Sequence, residues 1–111
     1  MKAPTNKLPK AKSEGEEGLA RDLACYKILA VREYRFDEVR QFRADFFIQP
    51  NILVEVEGGT WKNGRHNRGK GMEDDAVKYN TAVLRGYRLL RFTTNHVLNG
   101  YAIDTVREAL G

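Results

Sequence analysis

The segment from Arg43 to Glu57 restricts the possible folds more than any other part of the chain. It reads Arg43-Ala44-Asp45-Phe46-Phe47-Ile48, then Gln49-Pro50-Asn51, then Ile52-Leu53-Val54-Glu55-Val56-Glu57. Two short runs rich in apolar, β-branched and aromatic residues, separated by turn formers, predict a β-hairpin. Strand side chains alternate between faces. Arg43, Asp45 and Phe47 are therefore expected on one face of the first strand, and Leu53, Glu55 and Glu57 on one face of the second. A hairpin loop over Gln49 to Asn51 sets the pairs 47 with 53, 45 with 55, and 43 with 57. Asp45 then opposes Glu55 at about 5 Å between Cβ atoms, where like charges destabilise a sheet. A lone carboxylate on a half-exposed strand is usually just solvated. Two that face each other within apolar strands call for a shared cation. Hard oxygen donors at that separation suit Mg²⁺. Glu57 faces Arg43 in this register, so a cross-strand ion pair accounts for it as well as catalysis does.

The rest of the chain frames this hairpin. At 111 residues with 41% hydrophobic content it supplies one domain and one core. Residues 1–13 hold Lys2, Lys7, Lys10 and Lys12 with two prolines and no acids, and read as a flexible basic arm before a domain over 14–111. A helix is expected from Ser13 or Glu14 to about Ala30. Ser13 with Glu16 fits a capping box, and Leu19, Ala20, Leu23 and Tyr26 form its buried stripe. Glu16 borders that stripe, whereas Glu17 points to solvent. Cys25 is the only cysteine, which excludes a disulfide framework or a multi-cysteine zinc site within one chain, and it reads as a small core residue. Val31 to Phe36 is a first strand, turning at Asp37 and Glu38. Gly58 to Gly71 is a glycine-rich loop. Met72 to Leu84 is a helix stopped by Gly86, and Leu89 to Phe92 is a fourth strand reached by a crossover. Thr94 or Asn95 caps a short turn. Ala102, Ile103, Val106, Ala109 and Leu110 form the apolar face of a last helix. The order α-β-β-β-α-β-α predicts a mixed α/β fold with helices flanking one sheet. No apolar run is long enough to span a membrane and no signal-peptide pattern is present, so the expected compartment is the cytoplasm, or the inside of an infected or transformed cell.

The glycine-rich loop follows the acidic hairpin directly. It contains Trp61, Lys62, Arg65, His66, Arg68 and Lys70 and no acid. Cationic side chains on a flexible backbone, with an aromatic stacking surface, suit a nucleic-acid backbone. A basic loop by itself is more often simply solvated. Beside clustered acids it acquires a purpose, because phosphodiester chemistry needs both a metal and cationic clamps. The net charge of +4 is compatible with a polyanionic partner. His66 could serve as acid, base or phosphate contact. His96 has a local structural role. Lys78 lies three residues after Asp75, a spacing that by itself means only a surface pair.

These pieces, in order, resemble the PD-(D/E)XK nuclease superfamily, whose core is α-β-β-β-α-β, the restriction-endonuclease-like arrangement. Arg43-Ala44-Asp45-Phe46, Val54-Glu55-Val56-Glu57-Gly58-Gly59, Gly64-Arg65-His66, Asp75-Ala76-Val77-Lys78 and Gly86-Tyr87-Arg88-Leu89-Leu90-Arg91-Phe92 look most similar to small bacterial and phage enzymes related to very-short-patch mismatch-repair endonucleases. The resemblance covers roughly residues 14–110. It implies that Asp45, Glu55 and the Val56 carbonyl hold Mg²⁺, with Mn²⁺ able to substitute, and that Glu16 binds through water or positions a second ion. Glu57 stands where the superfamily usually has lysine. Lys78 could deliver the missing ammonium from the next helix, with Glu57 an added ligand. The implied activity is a DNA endonuclease leaving a 5′-phosphate and a 3′-hydroxyl. It would be guided by DNA structure, such as junctions, flaps or nicks, more than by a long sequence. Symmetric cleavage of both strands would require a homodimer. The rival readings are a nuclease-derived DNA-binding module that does not cut, an RNA-cleaving nuclease, and a small interaction protein. The zinc site of the mismatch-repair enzymes has no counterpart in this sequence.

Overall fold

The computed structural model describes residues 13–58 and 68–111, the backbone alone for 68–70. The basic arm up to residue 12, and Trp61, Lys62, Arg65 and His66, lie outside the described residues, as do the side chains of Arg68 and Lys70. The elements are α1 (Glu14–Cys25), β1 (Val31–Asp37), β2 (Phe42–Ile48), β3 (Ile52–Glu57), α2 (Arg68–Leu84), β4 (Arg88–Thr93), α3 (Thr94–Leu98) and α4 (Tyr101–Leu110). The mixed α/β class and the expected order hold, with the short α3 inserted before the last helix.

Among the described residues the sheet has four strands in the order β1-β2-β3-β4. β1 to β3 form an antiparallel meander, and β4 runs parallel to β3 after the crossover through α2. One cluster, with Leu19 and Leu23 of α1, Phe46, Ile48, Ile52, Val54, Val56 and Phe92 of the sheet, and Val97, Ala102, Ile103 and Val106, fills the space between the sheet and α1, α3 and α4. A smaller cluster of Phe36, Ala44, Leu53 and Ala82, joined by Tyr34, Phe47, Tyr87 and Leu89, lies beneath α2. Tyr34 stacks on Phe47 with ring centroids 4.5 Å apart.

Local chemistry explains where the elements begin and end. Ser13 caps α1 by accepting from the Glu16 amide at 2.9 Å. Glu16 turns its carboxylate toward Arg32 instead of completing the capping box. α1 ends at Cys25, short of the expected Ala30. Lys27 takes a left-handed conformation, with φ 59°. The amides of Lys27 and Ile28 close back onto Ala24 and Leu23 at 3.0 and 2.9 Å, a Schellman arrangement. Lysine stands where glycine would have signalled the stop. With the helix over, Tyr26 and Cys25 are exposed, not core residues. Tyr26 instead carries the Arg107 guanidinium 4.2 Å over its ring.

α2 starts at Arg68, four residues earlier than expected. Each glycine in a helix costs about 1 kcal/mol, but extending an existing helix is far easier than nucleating one, and residues 72–84 supply the nucleus. The stop at Gly86 holds, with φ 92°. Thr93 and His96 cap α3 reciprocally, each accepting from the other's amide at 3.1 Å, which is the local structural role expected of His96.

Candidate active site

The hairpin loop spans Gln49 to Asn51 as expected, and the pairs Ile48↔Ile52, Phe47↔Leu53 and Phe46↔Val54 set the expected register. Among the described residues the β2–β3 ladder ends there. One step further, the Val56 amide donates to the Asp45 side chain (Oδ2) at 2.8 Å. The carboxylate thus occupies a position that a neighbouring strand's carbonyl would otherwise take. This opening between the strands is where the site forms.

A change of face accompanies the opening. Phe46 belongs to the cluster under α1, whereas Ala44, two residues away, belongs to the cluster under α2. On β1, Arg32 reaches α1, whereas Tyr34 packs beneath α2. Strict alternation therefore fails across Asp45 and across Glu33, and the expected common face for Arg43, Asp45 and Phe47 does not hold. Glu33 sits at φ 52°, a conformation costly for a residue with a Cβ. The β1–β2 register brackets Glu33 opposite Asp45, between the pairs Arg32↔Phe46 and Tyr34↔Ala44.

Around this break the carboxylates gather. One oxygen each from Glu16, Glu33 and Asp45 lies within 4.8 Å of the others. Glu16 is buried, Asp45 half-buried and Glu33 exposed. Gly15 brings α1 close enough for this: a Cβ there would lie 2.7 Å from Thr94 Oγ1 and 3.0 Å from Val56 Cγ1. Arg32 holds Glu16 in place by donating from Nη2 at 2.9 Å, and donates to Glu17 at 2.7 Å. Glu17, expected in solvent, is thus half-buried and engaged. Glu55 on β3 retains regular alternation and points to the α2 side, where the Lys78 ammonium donates to its Oε2 at 2.6 Å. Lys78, placed by sequence only through a resemblance, therefore stands at the acidic site.

The electrostatics follow from the crowding. Asp45 is held above the ordinary carboxylate range, first by desolvation and then by the charges of Glu16 and Glu33; the Val56 amide and Lys78 act in the opposite direction. Glu55 is also raised, chiefly by desolvation and further by Asp45 and Glu57, against the Lys78 bond and charge. Acids held above their usual range by burial and by one another are those a cation relieves. All the donors are hard oxygens, as Mg²⁺ or Mn²⁺ requires. The side chains present therefore fit a divalent ion.

Glu57 does not face Arg43. β3 pairs in parallel with β4, setting Glu55 beside Arg91 and Glu57 beside Thr93, and the exposed Glu57 carboxylate accepts from Arg91. Arg43 lies 4.0 Å from Glu33 instead. The parting of β2 from β3 removes the cross-strand pair on which the sequence expectation depended. Sequence reasoning also missed Glu33 and Arg32. Their signal lay in the β1–β2 register, which the turn at residues 37–41 does not reveal without the fold.

No family model matches the sequence, and no curated protein matches it. Among solved structures, the chain is similar to the catalytic domain of the homing endonuclease I-Bth0305I. The TM-score is 0.59 at 19% identity, covering 90% of this chain and 91% of that one. That likeness is one of fold: a nuclease catalytic domain has the same mixed α/β architecture.

Proposed function

We propose that the protein is a divalent-metal-dependent DNA endonuclease of the PD-(D/E)XK kind, most similar in motif order to the very-short-patch mismatch-repair relatives. The observation that carries this reading is the convergence of Glu16, Glu33 and Asp45 within 4.8 Å, beside the Glu55–Lys78 pair, in a nuclease-like fold. Asp45 would hold Mg²⁺, or Mn²⁺ in its place, with Glu33 a further oxygen donor of the same cluster and Glu16 binding through water or placing a second ion; Glu55 and the Val56 carbonyl would complete the ligand set that the resemblance implies. Bound there, the ion would supply Lewis-acid charge that acidifies water and neutralises phosphoryl oxygens.

The chain's own groups do the rest. The Val56 amide fixes the rotamer of Asp45, and Arg32 fixes that of Glu16. Lys78, which donates to Glu55, would take the part of the superfamily's strand lysine, its remaining N–H groups stabilising charge that develops on the scissile phosphate. Lys62, Arg65, Arg68 and Lys70 would grip the DNA backbone, Trp61 would offer a stacking surface, and His66 would be available for proton transfer. Hydrolysis would leave a 5′-phosphate and a 3′-hydroxyl.

The test is a cleavage panel of supercoiled plasmid, single strand, flap, nicked duplex and four-way junction, with matched RNA, each in Mg²⁺, Mn²⁺ and chelator. Metal-dependent cutting that Asp45→Ala abolishes while DNA binding survives supports the proposal. A wild type that binds DNA but cuts nothing in either metal would instead favour the non-catalytic binding module, and preferential cutting of RNA would favour the RNA nuclease.

A further inference from the structure

A second cationic group stands beside the site and has no part in the roles assigned so far. Arg91 of β4 is the parallel partner of Glu55. Neighbouring strands lie about 4.8 Å apart, and regular alternation on β3 and β4 sends both side chains to the α2 side. The Arg91 guanidinium lies 4.3 Å over the ring of Tyr79, the residue after Lys78 on α2. Its Nη2 donates to Glu57. Its side chain remains 43% exposed. A guanidinium carries five N–H donors in one plane, so among the described residues a carboxylate on one nitrogen and a ring against one face leave an edge open. Tyr79 thus joins the two pairs along α2: it follows Lys78 in the helix and its ring supports Arg91.

Two cations, each paired with a β3 carboxylate, are thus presented on the α2 side of the acidic opening. Lys78 can turn about its flexible stem. Arg91 is clamped in plane by an aromatic face and a carboxylate, a preorganisation that suits two-point recognition of a phosphate. An ordinary surface ion pair would lack the aromatic clamp and the register position next to Glu55.

We infer that Arg91 is a phosphate-contacting residue of the same site, binding a DNA backbone phosphate, and that Glu57 is its positioning residue. This assignment rests on the endonuclease reading for its substrate. It gives Glu57 a purpose in the position where lysine is usual: the acid aims an arginine from the neighbouring strand.

The experiment compares Arg91→Ala, Arg91→Lys and Glu57→Gln with the wild type. Arg107→Ala serves as a matched control, because Arg107 also lies over a tyrosine ring but near the C-terminal end of α1, away from Glu16. Binding of a labelled DNA duplex is measured in chelator across a salt series, where no turnover occurs. Cleavage is then measured in Mg²⁺ under single-turnover conditions. Loss of one phosphate contact should flatten the salt dependence of log K by ~0.9 for Arg91→Ala. Affinity at low salt should fall about ten-fold or more. The half-saturating protein concentration should rise with little change in the maximal rate. Arg91→Lys should recover the salt slope but not the full affinity. Glu57→Gln should weaken binding in the same direction and leave the slope intact, since the cation remains. A merely structural pair would shift the melting temperature and none of these readouts. An Arg91→Ala slope equal to that of the wild type, or a loss equal to that of Arg107→Ala, overturns the inference. Because the binding arm needs no cleavage, a wild type that binds but does not cut would sink the endonuclease reading and leave Arg91 decided on its own. A wild type that does not bind at low salt overturns both.

Discussion

Replacing Asp45 by Asn should make the metal-free protein more stable. Asn keeps an oxygen that can accept from the Val56 amide and removes one charge from a crowded group. A unit pair of like charges at 4.8 Å costs ~0.9 kcal/mol in water and ~3.5 kcal/mol at an effective dielectric near 20. Asp45 faces two such charges. Arg32 offsets that of Glu16, and Glu33 is exposed and well screened. The charge-assisted bond to Val56 is also weakened. A net gain of about 1 kcal/mol remains after these discounts. For 111 residues the unfolding entropy is ~0.23 kcal/mol per kelvin, so melting in chelator should rise by about 4 °C.

Metal should reverse the order. Mg²⁺ at ten times its dissociation constant adds ~1.4 kcal/mol to the wild type, about 6 °C, and much less to Asp45→Asn. Acidity provides a further check on sign. The folded protein holds the Asp45 pKa above its unfolded value near ~3.9, so the stability from its protonated form is fully present below about pH 4 and lost as pH rises through the raised value. The difference between variant and wild type in chelator should therefore close toward pH 4 and open above it. Thermal melts monitored by circular dichroism, in chelator and in MgCl₂ across pH, decide the matter. A variant that melts lower than the wild type in chelator at neutral pH, or that gains equally from Mg²⁺, would show that Asp45 is a structural acceptor and not part of a cation site.

Lys78→Ala should slow cleavage by about 10²–10³-fold while DNA binding changes little; single-turnover rates set against binding constants check this, and equal losses in both would count against a chemical role. Because Lys78 lowers the Glu55 pKa, the same variant should also move the acid limb of the pH–rate profile to higher pH. Gly15→Ala drives a methyl group to 2.7 Å from Thr94 Oγ1; it should destabilise by about 1–3 kcal/mol and weaken metal binding by displacing Glu16, as melts and Mg²⁺ titration would reveal. Lys27→Gly relieves a left-handed residue at the end of α1 and should raise stability by about 0.5 kcal/mol, read in urea unfolding; a loss would mean the lysine stem packs usefully.

Much of the fold was legible in the chain itself. Apolar runs broken by Gln49-Pro50-Asn51 determine the hairpin and its register, because one loop length links the two strands and a slip by one residue would turn every core side chain outward. The Ser13 cap, the Gly86 stop and the apolar period of the last helix are equally local. Asp45, Glu55 and Glu16 stood out because acids are conspicuous in or beside apolar patterns. Tertiary structure decided how those acids meet. Where β2 parts from β3 depends on the Asp45 carboxylate taking the Val56 amide, and no periodicity encodes that. The entry of Glu33 depends on a left-handed residue within a strand, and the engagement of Arg32 with Glu16 on the docking of α1 over β1. Glu57 turned to Arg91 because β4 arrives beside β3 only through the crossover. Patterns that repeat along a backbone can be read from sequence; a charge cluster drawn from α1, β1, β2, β3 and α2 exists only once the helices and strands have packed, since its energies depend on distances between residues far apart in the chain.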